Sequence, residues 1–113
     1  MTYYDAILID EDATIVTLNL PANREHFAEY AAAVLRCSSV EPFDLTIGVV
    51  IWIDEDGHGR WGYNALADAL VNRYGHTDSL AGPVLITGYG ARVKALTPQD
   101  ASRILRELND IAD

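Results

Sequence analysis

Trp52-Ile53-Asp54-Glu55-Asp56-Gly57, followed by Asn64-Ala65 and then Gly82-Pro83-Val84-Leu85-Ile86, decides how this chain is read. Apolar residues run into three acids and a glycine, the pattern of a buried strand that ends in a polar turn. Asn64 is placed to cap a helix, and Leu66, Ala69, Leu70 and Tyr74 follow at helical spacing, with Gly75 as its stop. Gly82-Pro83 then leads into a second buried strand, Val84 to Thr87. Upstream, Thr46 to Ile53 is nearly unbroken in its apolarity and reads as one central strand covered on both faces, with Gly48 marking a bulge or a close approach. Asp56-Gly57-His58-Gly59 reads as a turn, and Arg60 to Tyr63 as a short strand pairing back. The stretch defines a domain and contains no catalytic motif.

Towards the N-terminus, Ala6 to Ile9 is a short apolar run. Val16, Leu18 and Leu20 alternate with Thr17 and Asn19, a period of two that predicts a half-buried strand. The two runs predict a hairpin across Asp10-Glu11-Asp12. After Pro21, Asn23 caps a helix whose apolar face is Phe27, Tyr30, Ala31, Val34 and Leu35, with Arg36 to Ser39 as its exit. Towards the C-terminus, Gly88 and Gly90 break the strand at Val84 to Thr87. Val93 and Ala95 alternate with Arg92 and Lys94, as an edge strand would. Thr97-Pro98-Gln99-Asp100 opens a helix with an N-cap, a proline at its first position and an early acid. Ala101, Ile104, Leu105, Leu108 and Ile111 form its apolar stripe. The order β-β-α-β-(β)-α-β-(β)-α predicts a single α+β domain over residues 1–113, a mixed β-sheet with three helices.

A chain of 113 residues that is 50% hydrophobic suits one core without metal or disulfide staples. Seventeen Asp and Glu against eight Lys and Arg give a net charge of -9, which disfavours binding to nucleic acid or to anionic membranes. Acidity alone keeps a small protein soluble; its sharper reading is a face that meets a basic partner. Cys37 is the only cysteine, so no internal disulfide forms, and a reducing compartment fits. Met1-Thr2-Tyr3-Tyr4-Asp5 lacks the layout of a secretory signal, and no apolar run approaches the ~20 residues that span a bilayer. The expectation is a cytoplasmic protein.

Asp54 to Gly59 opens like a calcium loop, with oxygen ligands at the first and third positions and glycine at the sixth. His58 at the fifth and Ala65 at the twelfth break the match, so a solvated acidic turn is expected. The same acids acting as a general acid-base group would need a pocket that a strand-end turn does not offer. His26, His58 and His76 are scattered and show no metal-ligand spacing. Thr87-Gly88-Tyr89-Gly90 lacks the third glycine and the helix of a dinucleotide fingerprint. No catalytic residue, metal site or cofactor is therefore expected. Tyr3, Tyr4, Trp61, Tyr63 and Tyr89 fall near strand ends, either completing the core or serving as interface anchors. Asp54, Glu55, Asp56, Trp61 and Tyr63 form the candidate interaction set.

In its order of motifs the chain resembles the uncharacterised bacterial and phage family called domain of unknown function 3846. The resemblance rests on the N-terminal hairpin, the helix at Phe27 to Leu35, Ile51-Trp52-Ile53-Asp54-Glu55-Asp56-Gly57, Asn64-Ala65, Gly82-Pro83-Val84-Leu85-Ile86-Thr87-Gly88 and Leu96-Thr97-Pro98-Gln99-Asp100. It departs at Arg36 to Asp44 and at Tyr74 to Ala81. It implies a phage or other mobile element of a high-GC bacterium as the source, and no activity.

Three functional readings follow. In the first, the domain binds a host or self protein, with an exposed strand at Arg92 to Leu96 as the candidate for self-pairing. In the second, it mimics nucleic acid and inhibits a DNA-binding defence protein, which requires Asp10, Glu11, Asp12, Asp54, Glu55 and Asp56 on one face. In the third, it is an enzyme or small-ligand binder whose pocket joins the turns at Asp54 to Gly59 and Gly88 to Gly90.

Overall fold

The computed structural model describes residues 5–112, so Tyr3 and Tyr4 lie outside the described residues. Strand β1 (Ala6–Ile9) is buried along its whole length and pairs antiparallel with β2 (Ile15–Leu18), as the two N-terminal runs predict. The Asp5 carboxylate accepts from the Leu20 amide at 2.9 Å and closes the hairpin's exit. Asn23 accepts from Glu25 N at 3.0 Å, capping a 3-10 turn at Arg24–His26 that runs into α1 (Phe27–Leu35). Helix α1 buries Phe27, Ala31 and Leu35, one residue per turn on a single face. It ends at Arg36, whose φ of 56° turns the chain out of the helix.

The apolar run at Thr46 to Ile53 is not one strand. Strand β3 (Val40–Thr46) turns at Ile47-Gly48 into β4 (Val49–Asp54). Gly48 marks this hairpin turn and not a bulge, with φ at 78°, a conformation that strains any residue with a Cβ. Ile47 extends the run in sequence, yet it stands at the tip, 98% exposed. After β4, the segment read as a turn and short strand forms a single-turn helix, α2 (Gly57–Arg60), and Tyr63 makes only an isolated bridge to Ala81. Helix α3 (Ala65–Arg73), strand β5 (Val84–Tyr89), strand β6 (Val93–Lys94) and helix α4 (Pro98–Ala112) complete the chain. Thr97 caps α4 by accepting from Asp100 N at 3.1 Å. Among the described residues the α-helices thus number four, not three.

The strand order is β2-β1-β5-β4-β3, with β6 against β5 beyond the end of β1. Every strand pairing among the described residues is antiparallel, so the sheet they form is not mixed. A helix between adjacent strands suggests a parallel crossover. Here α3 carries the chain away from the end of β4, and residues 75–83 bring it back, where Leu80 O accepts from Asn64 N at 2.8 Å. Strand β5 therefore enters at the end where β4 leaves. Arg92 to Leu96 is also no free edge: β6 is two residues long, Leu96 is buried, and its amide donates to Asp5 O at 2.8 Å.

Both faces of the sheet are covered, which explains why β4 and β5 read as nearly continuous apolar runs. On one face Ile7, Ile9, Ile51 and Ile86 share a core with Leu66 and Leu70 of α3 and Ile104 and Leu108 of α4. On the other, Ala6, Leu8 and Leu85 share a core with Phe27, Ala31 and Leu35 of α1. Trp52 lies on this second face, its ring 4.9 Å from that of Phe27 and its Nε1 donating to the buried Thr87 Oγ1 at 2.9 Å.

Candidate functional site

Strands β1 and β4 both run antiparallel to β5, so their C-terminal ends meet at one end of the sheet. That brings the turns at Asp10 to Asp12 and Asp54 to Asp56 together with the start of α3. Three side chains hold these loops. Asp54 is 4% exposed. Its Oδ1 accepts from Asp56 N at 2.9 Å, and its Oδ2 accepts from Arg60 Nη1 at 2.8 Å and Trp61 Nε1 at 3.0 Å. Charge-assisted bonds of this kind are short and directional, and here they fold the turn back onto its own strand end. Asn64, also buried, caps α3 by accepting from Ala67 N at 3.0 Å. Its Nδ2 donates to Ile9 O at 3.2 Å and Gly82 O at 2.9 Å. One amide thereby ties the end of β1, the approach to β5 and the start of α3.

Arg36 is the third. From the end of α1 its guanidinium reaches Asp10 at 2.8 Å and Glu11 at 3.7 Å, while its carbonyl accepts from Arg60 Nη2 at 3.0 Å. The Trp61 ring lies against both guanidinium groups, 5.2 Å from Arg36 and 5.4 Å from Arg60, a cation-π arrangement. Under it runs Gly82, with φ at 79°; a Cβ there would stand 2.5 Å from Trp61 Cδ1. Burial, and then the Asp54 charge, push the Cys37 thiol above its ordinary value, which lowers its thiolate fraction and its reactivity.

The candidate residues Asp54, Glu55, Asp56, Trp61 and Tyr63 are thus brought to one place but divide in two. Asp54 and Trp61 are built into the scaffold. Glu55 and Asp56 are exposed, and Tyr63 is 69% exposed, its ring 6.0 Å from that of His58 and inclined to it at 66°. Arg36, Arg60 and Gly82, which sequence reasoning did not place here, complete the scaffold. Their contacts join separate elements and leave no local spacing to recognise.

Chemically, Asp54 has its oxygens committed to three donors inside the protein, and this geometry suits a structural anchor. Among the described residues no group of His, Cys, Asp and Glu is arranged to hold a metal ion. The acids at 10–12 and 54–56 do share one end of the sheet, but Asp54 faces inward and Asp10 and Glu11 share Arg36, so the six do not form one exposed face. Nor do the turns at Asp54 to Gly59 and Gly88 to Gly90 share a pocket. Gly88 pairs with Val49, at the start of β4, while Asp54 ends that strand. A depression of about 340 Å³ lies at the Gly88 end, lined by Asp44, Thr46, Ile47, Gly48, Val49 and Tyr89. No helix among the described residues is long and apolar enough to cross a membrane. No known protein family, curated protein or solved structure matches the chain.

Proposed function

We propose that the protein acts by binding another protein through the outer fringe of its acidic end: Glu55, Asp56 and Tyr63, beside Trp61. The observation that carries this reading is Tyr63, a large aromatic side chain at 69% exposure on a segment anchored at both sides. Trp61 before it is clasped by Asp54, and Asn64 after it is buried and fully bonded. A tyrosine held in this way offers a large contact area at little cost in side-chain entropy, as interface anchors do. The acids around it select a partner with a basic surface and speed its approach. A cytoplasmic setting belongs to this proposal and is supported by the single cysteine, Cys37. Kinship with domain of unknown function 3846, and with it a mobile-element origin, is likewise proposed on the motifs quoted above.

The test is affinity capture with three folded baits: wild type, Tyr63→Ala, and Glu55→Lys combined with Asp56→Lys. A protein retained by wild type at low salt, and lost from both variants, supports the reading. Equal retention by all three baits removes the fringe from recognition. Inhibition of a DNA-binding protein is the second reading; the six acids it requires do not form one exposed face, so it rests on the exposed Asp12, Glu55 and Asp56 alone. It predicts that the captured protein is displaced by duplex DNA.

A further inference from the structure

The outer edges of the sheet are β3 on one side and β2 on the other. An edge strand presents unpaired N–H and C=O groups, and proteins blunt such edges with charge, proline, bulges or cover. Strand β3 carries those devices. Glu55 N donates to Ser39 O, and Glu41 and Phe43 pair with Ile53 and Ile51, so odd-numbered residues turn their backbone groups towards β4. Up to the register shift after Asp44, even-numbered residues therefore turn theirs outward. Pro42 is one of them, and its missing N–H removes an outward donor. Glu41 and Asp44 add charge, and a register shift between Asp44 and Thr46 bends the strand.

Strand β2 carries none of these. Its residues, Ile15-Val16-Thr17-Leu18, include no charge, proline or glycine, its register against β1 is unbroken, and each is partly buried. Asp10 N donates to Thr14 O at 2.8 Å, which places Thr14, Val16 and Leu18 on the side bonded to β1. The backbone groups of Ile15 and Thr17 face outward, and no described strand pairs with them.

We infer that β2 is a self-pairing edge, and that a second copy of this chain is its occupant, joined antiparallel about a two-fold axis at Val16. In that register Ile15 pairs with Thr17 of the partner subunit, and each such pair exchanges both of its backbone bonds. Val16 meets Val16 of the partner subunit across the seam, an apolar cross-strand contact on the face that carries α1. The isologous geometry also resolves the charge problem. Each copy carries -9, and Asp10, Glu11 and Asp12 all stand at the N-terminal end of β2. Antiparallel pairing lays them beside the far end of the other β2, which continues through uncharged Asn19 to Ala22 to Arg24 and carries one acid, Asp5, bonded to the Leu20 amide; parallel pairing would set three acids against three. The residual repulsion between two acidic bodies is long-range, so salt favours the dimer.

The experiment is sedimentation equilibrium from micromolar to millimolar protein, at low and high salt, with amide hydrogen exchange at both ends of the range. Wild type is expected to dimerise with concentration, more so at high salt, while Ile15 and Thr17 amides gain protection. Thr17→Pro removes an N–H that faces away from β1 and is expected to weaken the dimer by at least about tenfold. Thr17→Lys, which leaves the backbone intact, gives the same loss should the proline variant fold poorly. Tyr63→Ala is expected to leave the dimer unchanged, which separates this inference from partner binding at the acidic fringe. A chain that stays monomeric throughout overturns the inference, even where Ile15 and Thr17 become protected by another protein's strand. A dimer that survives both Thr17 variants overturns it as well.

Discussion

At one end of the sheet, polar side chains point inward and join elements far apart in sequence: Arg36 reaches Asp10 and Glu11, Arg60 and Trp61 reach Asp54, and Asn64 reaches the backbones of Ile9 and Gly82. At the other end, Ile47 projects at 98% exposure and Tyr89 at 41%, both lining a depression, and His76 Nε2 lies 2.8 Å from Leu45 O beside it. Both ends are built of turns rich in glycine and polar residues. One is a structural knot with an exposed fringe, the other a chain reversal flanked by the His76 contact to Leu45 O. Turn composition alone therefore says little about what a loop does; the direction of its polar groups decides.

The contrast is broken or sharpened by substitution. Asn64→Ala removes a helix cap and strands the carbonyls of Ile9 and Gly82, and it should cost about 3–4 kcal/mol in urea unfolding. Gly82→Ala forces a Cβ into the Trp61 ring at a left-handed backbone position, and about 2–3 kcal/mol should be lost. Trp61 emission should shift in that variant as the ring is displaced. Both losses vanish if the acidic end is merely a solvated turn.

Cys37 gives a smaller, pH-dependent readout. Its folded value is raised by burial and then by Asp54, so the protonated thiol is the favoured form in the native state. The stability this provides is fully present below the ordinary value of 9.0 and is lost as pH rises through the raised one. Alkylation near pH 8 should accordingly be slower in the folded chain than in urea, and faster in Asp54→Ala than in wild type. At the opposite end, Ile47→Ser should change stability by no more than about 0.5 kcal/mol, because the side chain is in water already.

The parts of this fold that are legible in sequence are local. The alternation of Val16, Leu18 and Leu20, the stripe in α1 and the Thr97 cap of α4 each need only a few neighbouring residues, and the structure has them all. Strand β3 escapes because an outer edge tolerates Glu41, Pro42 and Asp44, which erase the period of two. Ile47 misleads because hydrophobicity signals burial only on average. The antiparallel sheet is set by the return path at residues 75–83, whose length and direction no periodicity records. Of the site, the acids and aromatics were visible and their division was not. Whether Asp54 turns inward while Glu55 and Asp56 turn outward depends on Arg60 and Trp61 closing over it.

The division within that one loop is open to a direct measurement: urea unfolding of Asp54→Ala beside Tyr63→Ala. Loss of the carboxylate leaves Trp61 Nε1, Asp56 N and Arg60 without their acceptor, at about 3 kcal/mol, whereas Tyr63→Ala should stay within about 0.5 kcal/mol of wild type. Equal effects from the two substitutions, or a neutral Asp54→Ala, would contradict the assignment of this end as a buried anchor beneath an exposed fringe.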